Sequence, residues 1–159
     1  MEKFEIRPAS RVHATQLAPR LRPGDLMELH RATGEDPLEA LLDSVRVSDE
    51  DMCWTALYQG HPVAMFGCNE LYPDQPGVAG GIWMLCSAGI YHNKIDFMRC
   101  CKKYLAVMHT RYEYLTNFID EDNIPSQTWL PRLGFKPVLR VPDFGHAQTP
   151  FIQYISQKE

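Results

Sequence analysis

Lys3-Phe4-Glu5-Ile6-Arg7 alternates polar and apolar residues, the period of a half-buried strand, and Pro8 ends it. The period then changes. Leu17, Leu21, Leu26 and Leu29, followed by Leu38, Leu41, Leu42 and Val45, recur at helical spacing. Breaks at Pro23-Gly24 and from Gly34 to Pro37 divide this region into two or three short helices, with Asp36 and Pro37 as a cap and first-turn pair. Residues 53–58 and 61–68 read as two strands that turn at Gln59-Gly60. Pro73, Pro76, Gly77 and Gly80-Gly81 mark a loop long enough to serve as a lid or contact loop. Residues 82–87 form a nearly continuous apolar run, as in a central strand.

The clearest helix spans 93–111, with Ile95, Met98, Cys101, Leu105 and Met108 as its apolar stripe. Arg99, Lys102 and Lys103 lie off that stripe and, with Arg111, form a basic face that reads as solvated or as a partner contact. A strand over 114–119 and a short helix over 126–133 follow. Gly134 stops that helix, and Pro131 should shorten or kink it. Strands over 136–141 and 151–155 close the chain. The element order is βααβββαβαββ.

The 159 residues amount to one domain, 1–159, large enough to bury a core without disulfides or metal. Hydrophobic residues at 45% and charged residues at 23% exclude a disordered chain. A net charge of −4 argues against a nucleic-acid partner, because phosphate neutralisation needs the opposite sign. No apolar run is long enough for a membrane span, and Met1 to Glu5 holds no signal core. The five cysteines form no CxxC pair, and no two of the six histidines lie three to five apart. Core thiols in a reducing cytoplasm are expected, and no metal. Trp54, Trp83, Trp129 and Tyr58 read as core. No Ser/His/Asp triad, Walker loop or HExxH motif is present in the sequence.

Asn123, Ser126 and the run Trp129-Leu130-Pro131-Arg132-Leu133-Gly134-Phe135 resemble the late motif of the GCN5-related N-acetyltransferase (GNAT) superfamily. The Glu5-Ile6-Arg7-Pro8-Ala9 start resembles that superfamily's first strand, and the element order agrees along almost the whole chain. The resemblance implies an α+β fold: a mixed, mostly antiparallel sheet of six or seven strands with helices on both faces. The fourth and fifth strands should run parallel, joined by the long helix in a right-handed crossover.

Ile6-Arg7-Pro8, the hairpin at Gly60-His61-Pro62-Val63-Ala64, the strand at Trp83 and the Asn123-to-Gly134 segment resemble more closely the internal virion proteins of short-tailed bacteriophages. That family carries a degenerate version of the same fold. The resemblance implies a non-catalytic virion or assembly component in the host cytoplasm or the virion, with other phage proteins as partners.

Acetyl transfer would require a coenzyme A pyrophosphate site of the Gln/Arg-x-x-Gly-x-Gly/Ala type. The superfamily's spacing, counted back from Asn123, puts that hexad at Tyr91-His92-Asn93-Lys94-Ile95-Asp96. Lys94 and Asp96 stand in the glycine positions, and Asn93 with Asp96 reads as a capping-box-like helix start. The resemblance also puts Leu130 where many members have the tyrosine acid, so no catalytic residue is expected. If acetyl-CoA binds at all, Ser87, Gly89, Tyr91, Asn93, Lys94 and Asn123 are the residues to hold it. Glu70, Asp120, Glu121 and Asp122 are conceivable replacement bases, read first as surface carboxylates.

Overall fold

A computed structural model describes residues 2–159. Seven strands form one sheet in the order β1-β2-β3-β4-β5-β7-β6. They are β1 (Glu5–Pro8), β2 (Cys53–Tyr58), β3 (His61–Glu70), β4 (Ala79–Cys86), β5 (Tyr114–Asp120), β6 (Lys136–Phe144) and β7 (Thr149–Gln157). The helices are α1 (Arg11–Leu17), α2 (Pro23–Ala32), α3 (Pro37–Val47), α4 (Lys94–His109) and α5 (Ile124–Arg132). Every ladder is antiparallel except β4–β5, which is parallel with α4 as its crossover. The expected α+β sheet is therefore present, with three early helices where the element order gave two.

Local chemistry explains several boundaries. Gln59 and Gly60 both hold positive φ, as a two-residue turn twisted to suit β2 and β3 requires. Gly134 ends α5 at φ 92°, and the N–H of Phe135 returns to the Leu130 carbonyl. Asp36 caps α3 through the Leu38 and Glu39 N–H groups. Gly80 and Gly81, expected in the loop, belong to β4. A Cβ at Gly80 would lie 2.6 Å from both Cys68 Sγ and the Tyr112 ring, so the missing side chain lets those two groups pack against the strand.

Two apolar clusters flank the sheet. One gathers Leu17, Leu21 and Leu41 against Met65 and Leu85, with Trp83 at its margin. The other gathers Phe66, Phe97, Cys101, Met108, Leu130 and Phe135, with Trp54, Tyr58 and Trp129 packed against it. Two helical stripes differ from expectation. In α4, Ile95 is 75% exposed, and Phe97 takes the buried position together with Asp96. In α2, Leu26 is 40% exposed while Asp25 is 1% exposed. Both inversions arise because a buried carboxylate finds hydrogen-bond donors that a leucine or isoleucine cannot use. All five cysteines are free thiols. No helix is long and apolar enough to cross a membrane, and no His/Cys/Asp/Glu group could hold a metal among the described residues.

Candidate functional site

Strands β4 and β5 pair only from Ala79 to Gly81 and from Tyr114 to Thr116. Beyond that point they diverge, β4 running on to Cys86 and β5 to Asp120. The wedge left between them is the feature that could hold a ligand. On the α4 and α5 side it narrows to a cavity of about 80 Å³ lined mainly by apolar side chains, among them Phe66, Met84, Phe97 and Trp129.

Helix α2 spans the open end of the wedge. The Arg22 N–H donates to the Cys86 carbonyl, and Leu21 bridges to Ser87. The Asp25 carboxylate accepts the Cys86 N–H at 3.1 Å, and the Arg22 guanidinium holds it through Nε and Nη2 at 3.2 and 3.1 Å. On the β5 side, Glu28 Oε1 accepts the Asp120 N–H at 2.8 Å. Asn123 Nδ2 donates to Asp25 at 3.4 Å and to Glu28 at 3.3 Å. Arg31 pairs with Asp120 and Asp122 at 3.1 and 2.7 Å. Helix α2 and its N-cap residue Arg22 thus fasten both diverging strands through polar side chains.

That crowding has electrostatic consequences. Burial, with the Asp25 and Asp120 carboxylates nearby, pushes the Glu28 carboxyl up to about 7, against the hydrogen bonds from Asp120 and Asn123. Burial and the Asp25 charge push the Cys86 thiol well above its ordinary value, so it is a poor nucleophile. Asp120, read from sequence as a surface carboxylate, is 1% exposed and serves as the Arg31 partner. Glu121 and Asp122 do lie toward solvent, paired with Arg140 and Arg31. Glu70 accepts the Gly77 N–H and is partly buried beneath the 71–78 loop.

The six candidate ligand residues divide into two groups. Ser87, Gly89, Tyr91, Asn93 and Lys94 lie together in the connection from β4 to α4, which opens with a 3-10 stretch, Ala88–Asn93. Ser87 Oγ accepts the Gly89 N–H, and the Ser87 N–H donates to the Val63 carbonyl. Gly89 is packed against Val63 so closely that no Cβ would fit. Tyr91 lies at the surface with its hydroxyl accepting from Arg22, and the Lys94 ammonium sits over its ring. Asn93 Oδ1 accepts the Asp96 N–H, and its Nδ2 donates to the Glu2 carbonyl. Asp96, buried, accepts the Phe4 N–H at 2.8 Å. Asn123 stands apart at the start of α5, 1% exposed, with Oδ1 unpartnered and facing Gly24. A chain of bonds through Asp25, Arg22 and Tyr91 links it to the first group.

Sequence reasoning missed Arg22, Asp25 and Glu28. The available signal was the Arg22-to-Asp25 spacing at a Pro-Gly helix start, with Glu28 one turn further. Of the basic face, Arg99 bonds Asp96 and Arg111 bonds Asp49 and Asp51, while Lys102 and Lys103 are exposed.

Solved structures share this fold. A GNAT-family acetyltransferase from Bacillus anthracis matches with a TM-score of 0.69 at 12% identity, over 98% of this chain and 95% of its own. The fold is that of the GNAT acetyltransferases. Ard1 from Thermoplasma volcanium superposes with a TM-score of 0.72 at 10% identity, over 99% of both chains. Aminoglycoside 6'-acetyltransferase type Ii does so at 0.68 and 18% identity, over 96% of both. Identities this low establish the GNAT fold and leave activity open. No protein-family model and no curated protein sequence matches the chain.

Proposed function

We propose that this GNAT-fold protein does not transfer acetyl groups and serves as a bacteriophage virion or virion-assembly component. It would act in the host cytoplasm during infection or in the virion, with other phage proteins as its partners. The observation that carries the reading is the start of α4. A pyrophosphate needs free N–H groups and no negative charge at that helix N-terminus. Here the Asp96 N–H is taken by Asn93, and the buried Asp96 carboxylate sits in the first turn. The chain before β1 is bonded to both residues through Glu2 and Phe4. These residues do not fit a pyrophosphate.

The wedge supports the same reading. Its cavity of about 80 Å³ is small beside the roughly 300–1,000 Å³ of pockets that enclose drug-sized ligands. Asp25 already occupies the Cys86 N–H on the edge of β4. Leu130 is buried in α5 and cannot donate a proton. The phage assignment rests on the sequence resemblance at Ile6-Arg7-Pro8, the His61 hairpin, Trp83 and the Asn123-to-Gly134 segment.

One observation favours a second reading, an acetyl-CoA-dependent N-acetyltransferase with a divergent coenzyme site. Glu28 lines the cavity, and its carboxyl is pushed up to about 7, a value suited to a general base. Titration calorimetry with acetyl-CoA and coenzyme A separates the two. The first reading expects no heat and no thermal stabilisation at millimolar ligand. A dissociation constant of about 1 μM or below, near −8 kcal/mol, would overturn it.

A further inference from the structure

A second set of chemically active groups lies at the opposite end of α4, away from the wedge. His109 is the last residue of α4. Its Nδ1 is 3.1 Å from the Tyr112 carbonyl, and its Nε2 is 3.0 Å from Ser156 Oγ in β7. A carbonyl can only accept, so Nδ1 carries the hydrogen. In the neutral ring Nε2 is then bare, and the Ser156 hydroxyl must donate to it. The result is a serine hydrogen-bonded to a general base whose tautomer is fixed by a third group. That is the logic of nucleophilic serine sites, with a main-chain carbonyl in the place of a carboxylate.

Two further features point the same way. His109 and Ser156 both line an open groove of about 460 Å³, which also holds Lys102, Lys158, Glu159, Leu105 and Leu133. A donor for a developing oxyanion is at hand. The Lys158 N–H bonds the Glu113 carbonyl, so the alternation of the antiparallel ladder turns the neighbouring Gln157 N–H away from β5. It faces the side where β6 has not yet begun, because the β6–β7 ladder ends at Lys136 and Ile155.

We propose that Ser156 is a nucleophile activated by His109, taking short-chain carboxylic esters. Ser156 Oγ bonds to the acyl carbon as its proton passes to His109 Nε2. The ester C–O bond breaks, and the departing alkoxide takes that proton. Water then attacks the acyl-serine and gives its proton to Nε2. Breaking the acyl–Oγ bond returns that proton to Ser156 and frees the acid.

The test is labelling of the full chain with a fluorophosphonate, read by intact mass and peptide mapping, beside hydrolysis of p-nitrophenyl acetate. One adduct on Ser156 is expected. It should vanish in Ser156→Ala and form at least about 100-fold more slowly in His109→Gln, the lower end of general-base contributions. Circular dichroism establishes that each variant is folded. If His109→Gln fails to fold, wild-type mapping and Ser156→Ala still decide. No adduct on wild-type Ser156, or an unchanged rate in folded His109→Gln, overturns the proposal and leaves the pair as a tie between α4 and β7.

Discussion

Asn93 and Asn123 stand at the same nominal place, the residue before a helix, on opposite sides of the wedge, yet they do different things. Asn93 caps: its Oδ1 takes the Asp96 N–H and its amide pins the chain before β1. Asn123 does not cap. Pro125 removes one of the N–H groups a cap would use, and the side chain reaches across to Asp25 and Glu28 on α2. A local capping bond is worth about 1 kcal/mol. A buried carboxylate without donors costs far more. The second demand wins at α5, and it leaves Asn123 Oδ1 unpartnered. One helix start is therefore sealed by local chemistry, while the other is held by a charge network that spans the cleft.

The largest effect should come from the network side. Asp25→Ala leaves the 13%-exposed Arg22 side chain and the Cys86 N–H without their partner. A loss of about 3–5 kcal/mol is expected from urea denaturation, the range for breaking a buried pair. Asp96→Ala on the capped side should lose only about 1–3 kcal/mol. Its main bond is to the Phe4 N–H, and the Arg99 side chain it meets is 64% exposed. Equal losses would mean that the two helix starts do not differ in kind.

Next comes pH. The folded Glu28 carboxyl is raised, so the neutral form is the one the fold favours. Its stabilising contribution is full below the ordinary carboxylate value near 4.5. It is lost as pH rises through about 7. That interval corresponds to about 3 kcal/mol. Wild type should therefore weaken between about pH 4.5 and 7 relative to Glu28→Gln, and the variant should be the more stable of the two above pH 7. Parallel stability curves for the two proteins would remove Glu28 from the network.

The contrast between the helix starts also shows what was legible in the sequence. The Gln59-Gly60 turn, the Gly134 stop and the Asn93 cap were readable because each is decided within a few residues. The mostly antiparallel sheet with its parallel β4–β5 pair followed from resemblance, and the paired ladders agree with it. The charge network was not readable. Leu26 and Leu29 suggested the inward face of α2, whereas Asp25 turns inward because Cys86 and Arg22, distant or off the stripe, satisfy it. Ile95 was misplaced for the same reason, since Asp96 is drawn in by the Phe4 N–H. Asp120 looked like a loop carboxylate because its partner lies 89 residues earlier. The divergence of β4 and β5 is an absence of pairing, which no residue pattern announces.

A smaller effect sharpens the capped side. Asn93→Ala should lose about 1 kcal/mol of stability, and Asn93→Ser should recover most of it, because serine also accepts at a helix start. Asn123→Ser should recover nothing, because its bonds run from Nδ2 to the two carboxylates and a hydroxyl is too short to reach both. Urea midpoints of the three variants read the difference directly.

The smallest effect is a coupling. A Cβ at Gly24 would stand 2.8 Å from Asn123 Oδ1. Alanine ordinarily gains about 0.5–1 kcal/mol over glycine inside a helix. At Gly24 that gain is opposed by the contact, because Asn123 is held by two carboxylates and cannot easily turn aside. Gly24→Ala alone should be destabilising by less than about 1 kcal/mol. In an Asn123→Ala background the clash is gone and the same substitution should become stabilising, so the cycle should return a coupling of about 1 kcal/mol. An additive pair would mean that Asn123 is free to rotate, in which case its reach toward α2 is incidental and the two helix starts are alike after all.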